Sequence, residues 1–307
     1  MNSEPIDIVI PWLNPTEKWF SQYKNYCEDE DPARIRDLNT IRPAIKSIIK
    51  NLPWVRYIWL IVFDEEQHSN LDWEELKNDK VKFVYHRDII PQEFLPNFNS
   101  MIVECFAHKI EGLAENFIWS NDDMIFVKPI PQEFYFNNDK PVHRRKSISL
   151  YPHEIPKDKL CMYHYICDNT ANFISTILGN RYWACDYHMP IPMKKSLIEF
   201  IWLKHEKEIM NSCINSKVRK EYNFSFYQIP HTIIEFKNMC EFKDLGIKTS
   251  PIWLSDKTTK IELENLNKNN HIVCLNDTEL LKTNSNLIGK YIKEIYENCD
   301  FDLFNTK

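Results

Sequence analysis

The sequence predicts an α/β protein with a doubly wound, mainly parallel, Rossmann-like sheet and a helical insertion or subdomain. Short apolar runs typical of buried strands occur at 6–10, 55–62 and 81–85. Amphipathic helical spacing lies between them, most clearly at 38–51. Strands that alternate with helices favour a parallel sheet. In an open parallel sheet, ligands bind at the C-terminal ends of the strands, so a site is expected there.

The elements follow from local signals in chain order. The first strand should stop at the prolines Pro11 and Pro15. The helix at 38–51 can be capped by Asn39 and has Pro43 in its first turn. A later helix over 99–110 should close near Gly112 and lead into the strand before Asn121.

Beyond Pro129 the periodic pattern loosens. Prolines become frequent, and 169–178, 194–210 and 291–304 are the segments with helical character. We therefore predict an α/β core at 1–130, a loop-rich and helical subdomain at 131–260, and a return to the core at 261–307. The basic cluster 143–146 is either a solvated turn or an attractor for an anionic acceptor.

Composition excludes several classes of protein. The 307 residues are 43% hydrophobic, enough for a real core, and the net charge of −6 argues against nucleic acid as the main partner. With four glycines, the chain contains neither a Gly-rich dinucleotide fingerprint nor a P-loop. The nine cysteines form no Cys-x-x-Cys pair, which favours a reducing cytoplasm. Membrane contact is expected to be peripheral at most, at the inner face of the cytoplasmic membrane, and a homo-oligomer stays open.

Two adjacent acids, Asp122 and Asp123, interrupt the apolar stretch 117–127. Paired carboxylates at the end of a buried strand repel each other and lose hydration unless a cation, an arginine or a proton compensates. A divalent metal ion that carries phosphate oxygens is the commonest compensation. The alternative is structural, because Asn121, Asp122 and Asp123 are also typical of an acidic turn.

Several sequence segments, taken together and in chain order, resemble those of a known protein family. They are Ile6–Asn14, Ile41–Ser47 with Asn51–Ile58, Leu95–Glu104, Phe117–Met124, Tyr187–Ser196 with Lys217–Arg219, and Ile272–Asp277. In this combination the chain resembles the Stealth family of sugar-1-phosphate transferases, which act in bacterial capsule and surface-glycan synthesis. Animal N-acetylglucosamine-1-phosphotransferase is related to this family. The chain departs from the family pattern at Pro15, commonly glycine in relatives, and after Arg219, where the usual Ser-x-x-Asp spacing is not evident.

The resemblance implies transfer of a hexose 1-phosphate, in first place N-acetylglucosamine 1-phosphate from its UDP derivative, to a hydroxyl of an oligosaccharide or polysaccharide, with release of UMP. Asp122, Asp123 and Asp277 would hold Mg²⁺ or Mn²⁺ through oxygen ligands. His188 would act as general base or hydrogen-bond donor, and Arg219 would pair with phosphate oxygens. The predicted substrate contacts are Trp12, Asn14, Arg42, Asn99, Ser100, Asn121 and Asn276.

Some of these residues have structural alternatives. Arg42 can form a salt bridge instead of binding a diphosphate, and Asn99 and Ser100 can simply cap a helix. We expect His108 to pair with Glu104 on the surface of that helix. Two other functions stay open: a metal-dependent glycosyltransferase that releases UDP, and a glycan-binding protein without catalysis.

Overall fold

The computed structural model describes residues 4–27, 32–151, 161–184 and 188–297. Its strands are Ile6–Pro11 (β1), Ile58–Val62 (β2), Val81–Tyr85 (β3), Asn116–Trp119 (β4), Met124–Phe126 (β5), Phe136–Asn137 (β6), Lys140–His143 (β7), Ser149–Leu150 (β8), Tyr182–Trp183 (β9), Ile191–Lys194 (β10), Glu241–Phe242 (β11), Thr249–Trp253 (β12) and Ile272–Asn276 (β13). Its helices are Glu17–Tyr23 (α1), Ile41–Asn51 (α2), His86–Ile89 (α3), Ser100–Phe106 (α4), Met162–Leu178 (α5), Lys195–Cys213 (α6), Gln228–Phe236 (α7), Lys260–Asn269 (α8) and Ser285–Ile292 (α9).

The main sheet confirms the predicted fold class. Its strand order is β10-β4-β1-β2-β3. The pairs β1–β2, β2–β3 and β1–β4 are parallel, and β10 joins the edge strand β4 in antiparallel fashion. Because the chain proceeds outwards from β1 to β3 and then returns to the other side of β1, the order switches between β1 and β4. A crevice is expected at the C-terminal ends of those two strands.

Helices cover both faces of this sheet, as a doubly wound fold requires. Ile8 and Ile10 point to the face covered by α2, in one core with Ile45. Val9, between them, points to the opposite face and joins a second core that contains residues of α4, α6 and α7. Full burial of such a side chain stabilises the fold by about 1.5–3 kcal/mol. The alternation of successive side chains therefore places β1 in the centre of the molecule.

Asp7 shows how a buried acid in a strand is satisfied structurally. Its side chain is 0% exposed. It accepts hydrogen bonds from Arg56 Nε and Nη2 at 2.9 and 2.6 Å, from Trp59 Nε1 at 2.9 Å, and from the backbone amides of Tyr57 and Ala114 at 3.2 and 2.9 Å. This carboxylate fixes the N-terminal end of the sheet, far from the ligand-binding ends of the strands.

The apolar stretch 117–127 forms two strands rather than the one that its composition suggested. β4 belongs to the main sheet, whereas β5 pairs antiparallel with β13 in a second sheet of order β12-β13-β5. Polar side chains of α2 hold β5 in place, because Ser47 Oγ accepts from Phe126 N at 3.0 Å and Asn51 Nδ2 donates to Phe126 O. The acids lie in the turn between the sheets, so both the strand-end and the acidic-turn interpretations are partly right.

Several predicted boundaries need correction. Asn39 does not cap α2; its φ is +59°, and Thr40 occupies the N-cap without a side-chain hydrogen bond. The strand predicted at 55–62 begins only at Ile58. Helix α4 ends at Phe106 and continues as a 3₁₀ turn before Gly112, whose φ of +78° requires glycine-like freedom.

The later part of the chain is helical but interleaved with the core. α5 and α6 extend the helices predicted at 169–178 and 194–210. β10 and β12, both from the predicted subdomain at 131–260, pair with β4 and β13. The predicted closing helix at 291–304 begins as the end of α9 and a π-helical turn at 293–297, and its remainder lies outside the described residues. No described helix is long and apolar enough to cross a membrane.

Candidate active site

A cavity of about 490 Å³ lies at the C-terminal ends of β1 and β4, where the strand order switches. Aromatic side chains form much of its wall, including Trp19 and Trp119. Of the residues predicted from the sequence, those that line it are Trp12, Asn99, Ser100, Asn121, Asp122, Asp123 and Arg219. The fold therefore brings most of the predicted site together.

A second, more polar cavity of about 170 Å³ adjoins the first. Asp122 and Asp123 line both cavities and so form a wall that the two cavities share. The smaller cavity also receives the predicted residues Asn276 and Asp277 from the end of β13. It thus joins the two acidic motifs that are far apart in the sequence.

The two carboxyls lie where burial disfavours their ionised form. Burial, together with the charges of Asp123 and Asp37, raises the pKa of Asp122 to about 8. Burial also raises the pKa of Asp123, although a hydrogen bond from the Cys274 thiol at 3.3 Å and the nearby His188 partly offset this. Oδ1 of Asp123 is buried and has no hydrogen-bond partner among the described residues. An added cation would stabilise both carboxylates.

This arrangement fits a divalent metal ion at two of the three predicted ligands. Asp122 and Asp123 offer oxygen atoms, including the unpartnered Oδ1, of the kind that Mg²⁺ and Mn²⁺ prefer. Asp277 instead forms a bidentate ion pair with Arg36, whose guanidinium also donates to Thr278 O at 2.9 Å. In the described part of the chain, the three aspartates do not have the spacing of three ligands to one ion.

His188 lies behind the acidic wall rather than in a cavity. Its φ of +50° is a left-handed conformation that histidine seldom adopts. The ring Nδ1 is 3.7 Å from Cys274 Sγ, which itself contacts Asp123, and the ring meets Trp253 edge-on at 5.4 Å. His188 is absent from the described lining of both cavities. The geometry makes it a neighbour of Asp123, and its role in catalysis stays a prediction.

Arg219 reaches the larger cavity beside the start of α4. Its Nη2 donates to Ser100 Oγ at 2.7 Å. Glu104, one turn further along α4, accepts from Ser225 Oγ at 3.2 Å and from Phe226 N at 2.9 Å. Burial raises the pKa of Glu104 to about 7, while the positive charge of Arg219 opposes that rise. A guanidinium at this position can contact phosphate oxygens.

Asn99 caps a helix, which is the structural alternative to contact with substrate. Its side chain accepts from Met101 N at 3.1 Å and so caps α4. Its amide nitrogen donates to Asn223 Oδ1 at 2.9 Å and to the carbonyls of Ser216 and Val218 at 3.3 Å. All of its polar atoms are therefore engaged within the protein, and the residue joins α4 to the loop that carries Arg219.

The remaining predicted substrate contacts have different placements. Trp12 is 4% exposed, lies in both the core and the wall of the larger cavity, and leaves Nε1 without a partner among the described residues. Asn14 exchanges two hydrogen bonds with Gln67, at 2.7 and 2.8 Å. Arg42 pairs with Glu75 at 3.0 Å and does not reach the described lining of either cavity, so the salt-bridge alternative applies.

Sequence reasoning missed Arg34, Arg36 and Asp37, which precede α2 and line the smaller cavity. Arg34 also lines the larger one. Burial raises the pKa of Asp37, and its charge in turn raises that of Asp122. The sequence did contain a signal for these residues, because the four-residue segment 34–37, which precedes a helix, holds two arginines and an acid.

One further expectation is wrong, and a second is correct only in part. Glu104 and His108 do not form a surface pair, because both are 7% exposed and His108 packs against Trp202. The basic cluster 143–146 is not simply a solvated turn. Its first residue, His143, is 1% exposed and contacts Glu235, while Arg144 donates to Ile247 O at 3.2 Å.

Comparison with known proteins gives a consistent result. Residues 34–144 match the model of Stealth protein CR2, conserved region 2. Capsular polysaccharide phosphotransferase cps12A of Actinobacillus pleuropneumoniae is 31% identical over 73% of this chain and 63% of that protein. A capsular polysaccharide phosphotransferase of Actinobacillus suis is 28% identical over 100% of this chain and 83% of the relative.

A third relative, capsular polysaccharide phosphotransferase eps5J of Streptococcus thermophilus, is 30% identical over 52% of this chain and 68% of that protein. The chain thus spans slightly less than two thirds of the cps12A protein and a larger share of the other two. The CR2 match covers the crevice segment from Arg34 through Asp122 and Asp123. On these similarities, the chain belongs to the Stealth family.

Proposed function

We propose that this protein transfers a hexose 1-phosphate, N-acetylglucosamine 1-phosphate in first place, from a UDP-sugar to a glycan hydroxyl during capsule or surface-polysaccharide synthesis. The names of the relatives support phosphotransfer onto a capsular polysaccharide. Cytoplasmic location, peripheral membrane contact and homo-oligomer formation stay predictions.

The observation that carries the proposal is the wall formed by Asp122 and Asp123 between two cavities. Displacement at phosphorus requires the attacking and leaving oxygens on roughly opposite sides of the phosphorus atom. A wall of carboxylates between a large cavity and a small polar one offers such a place. The larger cavity, with its aromatic lining, suits the nucleoside, and the smaller one suits the approaching hydroxyl.

The charged residues around the wall have complementary roles in this proposal. Arg219 and Arg34 would contact the phosphate oxygens of the donor, because a guanidinium matches two oxygens at once. Mg²⁺ or Mn²⁺, bound at Asp122 and Asp123, would supply charge neutralisation on those oxygens. The Arg36–Asp277 pair would hold the floor of the smaller cavity rather than bind the cation.

In the proposed step the acceptor oxygen forms a bond to the sugar-proximal phosphorus. The bond from that phosphorus to the bridging oxygen breaks, and its electron pair leaves with UMP. The hydroxyl proton passes to a carboxylate oxygen of Asp122 or Asp123 that does not hold the cation, because both residues line the cavities whereas His188 is absent from the described lining. His188 would act through its neighbour Asp123.

The test is incubation of the purified protein with UDP-N-acetylglucosamine, Mg²⁺ and a panel of oligosaccharide acceptors, with UMP and UDP separated by ion-exchange chromatography. We expect UMP together with a phosphodiester-linked product. UDP with a glycosidic product would replace the proposal with a glycosyltransferase. Tight binding of nucleotide sugars without any turnover across a wider donor panel would identify a binding protein.

Matched variants make this assay specific to the site. Asp122→Asn and Asp123→Asn should each reduce UMP formation by about 100-fold or more, since each removes a carboxylate from the wall. Asp79→Asn changes an exposed aspartate outside both cavities and should retain wild-type turnover. Equal turnover in all three variants would contradict the site assignment.

A further inference from the structure

Three buried side chains outside the crevice have the spacing of metal ligands. His231 and Glu235 lie one turn apart on α7 and face His143 at the end of β7. One ligand atom from each residue lies within 4.8 Å of the other two. The exposed fractions are 1% for His143 and 0% for both His231 and Glu235. None of the three lines either cavity of the proposed active site.

Both histidines have buried ring nitrogens without a hydrogen bond, and a buried polar atom without a partner costs free energy. Nε2 of His143 and both ring nitrogens of His231 have no hydrogen-bond partner within the described ranges. The two rings stack, with centroids 4.5 Å apart. Buried polar atoms in folded proteins are nearly always bonded, so these unpaired nitrogens indicate an additional partner.

Glu235 supplies negative charge to the same point. It accepts from Ser147 N, from Ser147 Oγ at 3.0 Å, from Ile148 N and from His143 Nδ1 at 3.3 Å. A carboxylate next to two buried imidazoles is a combination that a metal cation stabilises.

We propose that His143, His231 and Glu235 bind a divalent transition-metal ion, with zinc as the best match, at a site separate from the crevice. Two imidazole nitrogens and one carboxylate oxygen are a common zinc ligand set, and magnesium would prefer oxygen ligands alone. The proposal does not depend on the proposed transferase activity.

The position of the site indicates a structural role. β7 pairs with β11, where His143 is opposite Phe242, and with β6 in a small three-stranded sheet. An ion shared by His143 and α7 would tie this sheet to the helix. Tyr227, at the N-cap of α7, lines the larger cavity. The ion would therefore fix the helix that carries part of the crevice wall.

The test measures metal in the untagged full chain, expressed with zinc supplementation, by inductively coupled plasma mass spectrometry. We expect about one zinc ion per chain. His143→Gln and His231→Gln should each lose it. His108→Gln is the matched control, because His108 is also buried and has a lowered pKa but lies outside the cluster. Absence of bound transition metal, or equal retention in all variants, would overturn the proposal.

A second measurement covers variants that fail to fold. Removal of the metal from the wild type with dipicolinate should lower the melting temperature, and added Zn²⁺ should restore it. X-ray absorption spectra of the zinc-loaded wild type should show nitrogen and oxygen neighbours at roughly 2.0–2.1 Å with the outer-shell scattering of imidazole. Spectra without imidazole scattering would mean adventitious binding, for example at the aspartates, and would refute the site.

Discussion

Replacement of Asn99 by alanine separates a structural role from a substrate-binding one. The side chain makes four hydrogen bonds, one that caps α4 and three that reach Asn223, Ser216 and Val218. It is 1% exposed, so water cannot replace the lost bonds without entering the interior. A residue that only contacted the donor would instead leave stability unchanged and raise KM.

The size of the expected loss follows from these contacts. Removal of an N-cap side chain costs about 0.5–2 kcal/mol. Lys220 N still donates to Asn223 Oδ1, and Asn97 remains near Ser216 O at 3.5 Å, so the Val218 carbonyl is the main acceptor left without its side-chain donor. An unsatisfied buried acceptor costs about 1–3 kcal/mol. We expect Asn99→Ala to lower the free energy of unfolding by about 2–4 kcal/mol.

Urea unfolding followed by circular dichroism gives this difference from the midpoint and slope. Asn99→Asp should also be less stable than the wild type, because it keeps the cap but turns a carboxylate towards three acceptor oxygens. Asn269→Ala, an exposed position near the end of α8, should stay within about 0.5 kcal/mol of the wild type. Asn99→Ala stability equal to that of Asn269→Ala, with a raised KM, would refute the structural role.

Three further predictions concern charged groups. Asp122→Asn and Asp123→Asn should each reduce UMP formation by about 100-fold or more while circular dichroism stays native. Burial raises the pKa of Glu104 from 4.5 to about 7, so its contribution to stability is full below about pH 4.5 and is lost as the pH rises through 7. Glu104→Gln should flatten the pH dependence of the urea midpoint across that window, and an unchanged profile would contradict the shifted pKa. A double-mutant cycle of Arg36→Ala and Asp277→Ala should give a coupling energy of about 1–3 kcal/mol in urea unfolding, whereas additive losses would mean that the pair contributes little.

Local patterns predicted the parts of the fold that depend on neighbouring residues. The apolar run before Pro11 became β1, and the repeat of Ile41, Ile45 and Ile48 became the buried face of α2. The division of 117–127 into β4 and β5 was not predictable in the same way. It depends on β13, more than 140 residues later, which pairs with β5 and draws the chain out of the main sheet.

The site was predictable where a motif lies at a strand end and not where a contact comes from a distant segment. Asp122 and Asp123 were found because paired acids in an apolar run are conspicuous. The engagement of Asp277 by Arg36 spans 241 residues and left no local signal. The contact of His188 with Cys274, 86 residues away, likewise left no local signal.

Asp7 and Asp123 show why an acid in an apolar run does not by itself identify a site. Both carboxyls lie beside buried strands of the sheet core. Asp7 receives donors from Arg56, Trp59 and Ala114, which are 49, 52 and 107 residues away and converge only in the folded chain. Within the described residues, Asp123 accepts a thiol hydrogen bond and keeps one oxygen without a partner at a cavity wall. The same sequence signal therefore marks a structural acid when the fold supplies the donors. It marks a candidate ligand-binding acid when the fold leaves an oxygen unpartnered beside a cavity.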